Sequence, residues 1–193
     1  MSEFIFDEKE LAVTSQEPAA FQGMPPRKIY GNRPISGREN YRRAYEKKPL
    51  WIPTSSDTRL FCPSVVPDNI ARGFVFSGET FDNVKNGGGK DMFGIDWVYV
   101  PSARGSMVKP GNPALTDAND WEKVIKFPDV RSWDWAKSVE LNKEYVSKDR
   151  WLVFWMLSGA WFERLVSFMD FDAAVMALID EDQQEAVHAL FTK

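Results

Sequence analysis

Arg150-Trp151-Leu152-Val153-Phe154-Trp155-Met156-Leu157 is the segment on which the fold class turns. It is apolar, rich in β-type residues, too short for a lone helix, and broken by Ser158-Gly159. That combination predicts a buried strand. Two amphipathic helices are expected to follow it. Phe171, Ala174, Val175, Leu178 and Ile179 trace one apolar stripe behind Asp170, and Ala186, Val187, Leu190 and Phe191 trace another behind Asp180. This is the cleanest strand-then-helix order in the chain.

Working back from that strand, Trp133 to Tyr145 predicts a helix capped by Ser132. Thr116-Asp117 precedes a helical stretch with Trp121, Val124 and Ile125 on one side, stopped at Pro128. Leu50 to Gly111 reads as irregular. Its short β-type runs are Trp51-Ile52-Pro53, Phe74-Val75-Phe76 and Trp97-Val98-Tyr99-Val100. Asn86-Gly87-Gly88-Gly89-Lys90 reads as a turn, without the GxxxxGK[ST] spacing of a phosphate loop. Ser36-Gly37-Arg38-Glu39 is a capping-box pattern opening a helix, with Tyr41, Ala44 and Tyr45 on one face and an Arg42–Glu46 pair. Pro49 ends that helix. Residues before it combine prolines and small residues without periodicity and read as an extended arm. The expected organisation is an arm over 1–35, a helical and irregular region over 36–149, and a strand with its helices over 150–193.

Composition limits what the chain does. Its 193 residues allow one domain, or one small domain and a tail. A net charge of −4 argues against a nucleic-acid partner. One cysteine, Cys62, allows no intrachain disulfide and no multi-cysteine metal cluster. The first residues lack the basic-then-apolar order of a signal peptide, and no apolar run approaches the ~20 residues that cross a bilayer. The expectation is a soluble, cytoplasmic protein with no membrane partner.

The order of short motifs resembles the N-terminal part of the uroporphyrinogen decarboxylase-like superfamily, which includes corrinoid-dependent methyltransferases. Arg38-Glu39-Asn40 through Ala44 to Pro49-Leu50-Trp51-Ile52-Pro53 resembles its "R-x-N-x-x-x-A-x-x-x-K-x-P-x-W-I-P". Asp91-Met92-Phe93-Gly94-Ile95-Asp96-Trp97 resembles "D-x-F-G-x-x-W", and Gly105 to Asp117 resembles "G-x-M-V-x-P-G-x-P-x-L-x-D". Asp120-Trp121-Glu122 to Phe127-Pro128-Asp129 and Trp133-Asp134-Trp135 also fit. Ser158-Gly159-Ala160-Trp161-Phe162-Glu163-Arg164-Leu165 is similar to the "G-x-F-E-R-L" that follows the family's first core strand. Together these cover about residues 36–193.

The resemblance implies a TIM-like (β/α)8 barrel preceded by a helical and irregular segment. Such a barrel takes at least about 200 residues of its own. Only the stretch from Trp151 onward reads as barrel material, so the barrel is expected to be incomplete in this chain, as in a fragment, a truncated reading frame or one piece of a split protein. Barrel sites lie at the C-terminal ends of strands. On that rule Ser158, Gly159, Phe162 and Glu163 are pocket candidates, although a helix-start glutamate is also favourable in the macrodipole. Asp57 and Arg59 are candidates for a lid over the barrel mouth, with a surface turn as the plain alternative. Asp96 is a further candidate, its alternative a structural hydrogen-bonding role.

The methyltransferase branch implies transfer of a methyl group through a corrinoid protein, with zinc activating a thiol. A zinc site and a corrinoid partner belong to an intact relative, and no cofactor is expected in this chain itself. His188 reads as a helix-surface residue and Cys62 as a structural thiol. The partners implied are a corrinoid protein or a missing C-terminal half. The eight tryptophans read as core, with an aromatic wall for a corrinoid or aryl substrate as the sharper alternative. Uroporphyrinogen decarboxylase activity is the enzymatic alternative. The family's arginine-rich segment, similar to "M-R-Q-A-G-R", is absent here and only Arg59 lies near its place. An inactive fragment or interaction subunit exposing an apolar face is the third reading.

Overall fold

A computed structural model describes residues 7–19, 24–103, 105–146, 148–156 and 161–193. In chain order its regular elements begin with strands β1 (Ser15–Glu17) and β2 (Arg27–Ile29), helix α1 (Gly37–Tyr45) and strand β3 (Thr58–Phe61). Helices α2 (Pro67–Ala71) and α3 (Asn83–Asn86) precede strands β4 (Gly88–Lys90), β5 (Asp96–Val100) and β6 (Gly105–Val108). Then come α4 (Trp121–Val124), α5 (Trp135–Asn142), β7 (Trp151–Phe154), α6 (Phe162–Met169), α7 (Phe171–Ile179) and α8 (Glu181–Thr192). The chain is mixed α/β, and among the described residues no sheet closes into a barrel.

The chain divides into two units, each built from two separate stretches: residues 1–61 with 142–155, and residues 62–141 with 156–193. In the first unit, β1 and β2 pair antiparallel in a stretch that the sequence presents as an extended arm. Helix α1 begins as the capping pattern predicts, with Ser36 Oγ accepting the Glu39 amide at 3.1 Å. Glu39 does not reach back to close the box; its carboxylate is taken by Arg42 and Arg43. The i,i+4 pair Arg42–Glu46 is present. Tyr41 and Tyr45 share a face as expected, and both rings lie against Trp151, at 5.6 and 5.7 Å between centroids.

Strands β3 and β7 form a parallel pair in the register Thr58 to Trp151 through Phe61 to Phe154. The segment expected to be a buried strand is therefore a strand, but not a buried one. Trp151 and Val153 are half-buried, while Leu152 and Phe154 on the other face are 36% and 45% exposed. Among the described residues β3 and β7 form a two-stranded sheet, and the face that carries Leu152 and Phe154 is not sealed by a further layer. Leu157 lies outside the described residues.

The second unit holds the apolar core. Leu165, Phe168 and Met169 of α6, Ala174 and Ala177 of α7, and Val187 and Leu190 of α8 pack with Ile95, Trp97, Leu115 and Ile125. Asp180 caps α8 as predicted, accepting the Asp182 amide at 3.0 Å. Asp170 does not cap α7 with its side chain; its φ of 65° makes it the junction that ends α6, its amide donating to the Val166 carbonyl. Helix α5 starts at Trp135 with Asp134, not Ser132, as the capping side chain, accepting the Lys137 amide at 2.9 Å.

The glycine run read as a turn is instead strand β4, edge partner of β5 in a three-stranded antiparallel sheet with β6. Gly88 and Gly89 enter it at φ values of 106° and 89°, which an L side chain rarely adopts. Trp51-Ile52-Pro53 is not a strand, and Phe76 contributes only an isolated bridge to Cys62.

Candidate functional site

A polar cavity of about 860 Å3 lies wholly within the first unit, lined among others by Glu17, Arg33, Asp57, Arg59 and Arg150. Glu17 ends β1 and faces Arg27 across the β1–β2 ladder. The parallel register that aligns Thr58 with Trp151 brings Arg59, the second residue of β3, near Arg150 at the foot of β7. Arg150 grips Glu17 with both terminal nitrogens, Nη1 to Oε2 at 2.6 Å and Nη2 to Oε1 at 2.7 Å. Arg27 Nη2 donates to Oε2 at 3.3 Å, and Arg59 Nη2 lies 3.7 Å from the same oxygen. The Arg150 hydrogen bonds hold the Glu17 carboxyl below its ordinary value of 4.5, against a burial contribution of opposite sign.

Arg59 is itself fixed. Its Nη1 donates to the Tyr145 carbonyl at 2.8 Å and its guanidinium lies 4.9 Å from the centre of the Tyr145 ring. Tyr145 is held in turn by its hydroxyl, which donates to the Leu60 carbonyl.

Asp57 is almost fully buried and its two oxygens are divided between two tasks. Oδ1 accepts from Arg33 Nη1 at 2.8 Å; Oδ2 accepts from the Thr54 amide, Thr54 Oγ1 and Trp51 Nε1. Arg33 is stacked on both Tyr30 and Trp51, 4.6 and 4.4 Å from the ring centres. Asp57 therefore positions an arginine and an indole rather than facing the cavity as a free acid.

The other sequence candidates are elsewhere. Asp96 is exposed at the start of β5, 3.7 Å from Lys90 Nζ. Phe162 lines a separate, mainly apolar cavity of about 540 Å3 in the second unit, with Trp161, Leu178, Val187, His188 and Phe191. Glu163 is exposed in the first turn of α6. Ser158 and Gly159 lie outside the described residues. Among the described candidates, only Asp57 and Arg59 are brought together at one cavity. Sequence reasoning missed Glu17, Arg27, Arg33 and Arg150, because nothing local marks them. Glu17 and Arg150 are 133 residues apart.

The tryptophans do not form one wall. Trp151 belongs to the first unit's tyrosine stack, Trp161 sits 6.0 Å from Phe191, and Trp133 and Trp135 lie 5.8 Å apart although two positions separate them.

Two of the quoted motifs are knots of buried polar groups. Asn40, fully buried, accepts the Leu50 amide at 2.7 Å and donates to the Trp51 carbonyl at 2.9 Å, so it writes the turn after α1. Asp91 Oδ1 accepts the Phe93 and Ile95 amides, and Oδ2 accepts Trp97 Nε1 and Arg164 Nη1, the last at 2.7 Å. Arg164 also pairs with Asp68, whose other oxygen accepts the Met92 amide. Burial pushes the Asp68 carboxyl up, ahead of the opposing pull of Arg164. Burial likewise pulls the nearby Arg72 guanidinium down.

The described residues do not fit a zinc site. No group of three His, Cys, Asp or Glu among them could hold a metal ion. Cys62 is fully buried in its bridge to Phe76, whereas His188 is exposed on α8. No helix among the described residues is long and apolar enough to cross a membrane. The chain matches no protein-family profile, no curated protein and no solved structure.

Proposed function

We propose that the chain is the N-terminal portion of a uroporphyrinogen decarboxylase-like protein of the corrinoid-dependent methyltransferase branch, the opening part of a TIM-like barrel with its preceding segment. The intact protein would move a methyl group from a methylated donor through a corrinoid protein to an acceptor. The observation that carries this reading is the buried bond between Asp91 and Arg164. It joins two of the segments that resemble the family, Asp91 to Trp97 and Ser158 to Leu165, across 73 residues. Residues matched as separate motifs thus depend on one another physically. The parallel β3–β7 pair adds support, because parallel neighbours need a long crossover connection, as the strands of a (β/α)8 barrel do.

Zinc enters no step of this proposal. The decarboxylase alternative still lacks its arginine pair after the first helix, where only Arg59 stands. The test begins with the coding sequence downstream of the Lys193 codon. An in-frame continuation with further strand–helix repeats, one His and two Cys is expected, and the longer product should demethylate methylcobalamin in the presence of a thiol. A stop codon at that place, or a longer product that decarboxylates uroporphyrinogen and leaves methylcobalamin intact, would refute the methyltransferase reading.

A further inference from the structure

We infer that a small dianion carrying carboxylate or phosphate oxygens binds in the polar cavity of the first unit, anchored by Arg59 and Arg150, in competition with the protein's own Glu17. The inference stands on charge and geometry and is independent of the family reading.

Three guanidiniums (Arg33, Arg59, Arg150) and two carboxylates (Glu17, Asp57) line the cavity, and Arg27 reaches Glu17 from outside the lining. Arg27, Arg59 and Arg150 converge on Glu17, while Asp57 is spent on Arg33. Two positive charges are left without a partner charge in the network. The further charged side chains lining the cavity, Lys143, Lys148, Glu144 and Asp149, are exposed and cancel in sign. The side chains of Arg59 and Arg150 are only 19% and 12% exposed, so water screens this excess poorly. It stands out in a chain whose net charge is −4.

Arg150 shows the chemistry such a site accepts. Its fork holds the Glu17 carboxylate with two parallel bonds, the geometry a guanidinium offers to any carboxylate or phosphate. Glu17 fills the fork as an internal stand-in for a ligand. Arg59 is fixed by Tyr145 and lies 3.7 Å from Glu17, close but without a hydrogen bond to it, so it has donor capacity left. The cavity, about 860 Å3, lies within the size range of small-molecule sites.

The experiment is calorimetric titration of the full chain with inorganic phosphate and with succinate at fixed ionic strength, with acetate as the monoanion control. Saturable one-site binding of at least one dianion is expected, with acetate at least about tenfold weaker. Phosphate alone would identify the ligand class as phosphate esters, succinate alone as dicarboxylates. Arg59→Gln removes one charge-assisted contact and should weaken binding about tenfold or more. Glu17→Gln removes the internal competitor and should tighten binding several-fold. Absence of saturable binding by both dianions, or acetate binding as well as they do, would overturn the assignment. So would unchanged affinity in an Arg59→Gln protein that melts like the parent. Should Arg59→Gln fail to fold, Glu17→Gln decides, since unchanged or weaker binding there also overturns it.

Discussion

Replacing Asp91 with alanine should be among the most damaging single changes in the second unit. The side chain of Asp91 is 1% exposed and that of Arg164 4% exposed, so the pair is sealed from water. Removing one partner of such a pair costs about 3–5 kcal/mol, because the other charge stays buried. Asp68 remains beside Arg164 and softens that loss, but the Trp97 indole and the Phe93 and Ile95 amides lose their acceptor together. We expect about 4 kcal/mol, which for a chain of this length lowers the melting temperature by about 8–16 °C. Asp91→Asn keeps an oxygen for the two amides and should cost about half as much. Arg164→Met leaves Asp68 and Asp91 as unbalanced buried carboxylates, so the Asp91→Ala/Arg164→Met double variant should lose about 1–3 kcal/mol less than the sum of the singles. Urea titration followed by tryptophan fluorescence measures all four proteins. A loss below about 1 kcal/mol for Asp91→Ala, or singles that add to within about 0.5 kcal/mol, would refute the argument that this pair is a coupled, buried unit.

Further expectations follow from the first unit. Asn40→Ala orphans the Leu50 amide and the Trp51 carbonyl and should cost about 2–4 kcal/mol by thermal melt, with Asn40→Asp intermediate because it keeps the acceptor. Gly37→Ala should destabilise by about 1–3 kcal/mol, since an added Cβ would lie 2.8 Å from Asp57 Cα. In an open helix the same change stabilises by up to about 1 kcal/mol, so a higher melting point in this variant would contradict the contact. The lowered Glu17 carboxyl gives a pH dependence of definite sign. Between its folded value and 4.5 the unfolded chain holds the extra proton, so the stability Glu17 contributes is present above 4.5 and lost as pH falls through the folded value. The urea midpoint should therefore drop less between about pH 7 and pH 3 in Glu17→Gln than in the parent, and equal drops would remove Glu17 from the acid-sensitive groups.

What the sequence disclosed was local. Ser36, the Arg42–Glu46 pair and Asp180 were legible because a cap or an i,i+4 pair is completed within one helical turn. Ser132 misled because Asp134, two residues on, offers the same chemistry, and the backbone entering α5 chooses between them. The burial of β7 was misjudged because an apolar run states affinity for cover without stating whether cover is supplied. In the cavity, Arg59 and Asp57 were visible as charged residues in an irregular stretch. Glu17 and Arg150 were not, because a strand register set by β3 and β7 brings them together and no short window contains both. Asn40, Asp91 and Arg164 stand inside recognisable motifs, yet a motif does not state which of its residues become hubs of buried hydrogen bonds.

The interleaved chain path has a kinetic consequence. Strand β3 cannot find β7 until residues up to Phe154 have left the ribosome, and the second unit needs residues beyond 156 to complete its core. Closing the roughly 90-residue loop from Phe61 to Trp151 costs about 4 kcal/mol of chain entropy, about twice the cost of the ten-residue closure between Glu17 and Arg27. The β1–β2 hairpin is thus free to form early, presenting Glu17 before Arg150 exists to receive it. High sequence separation of this kind slows folding, and each unit emerges from synthesis half-made, with a segment of the other unit lying between its two parts along the chain.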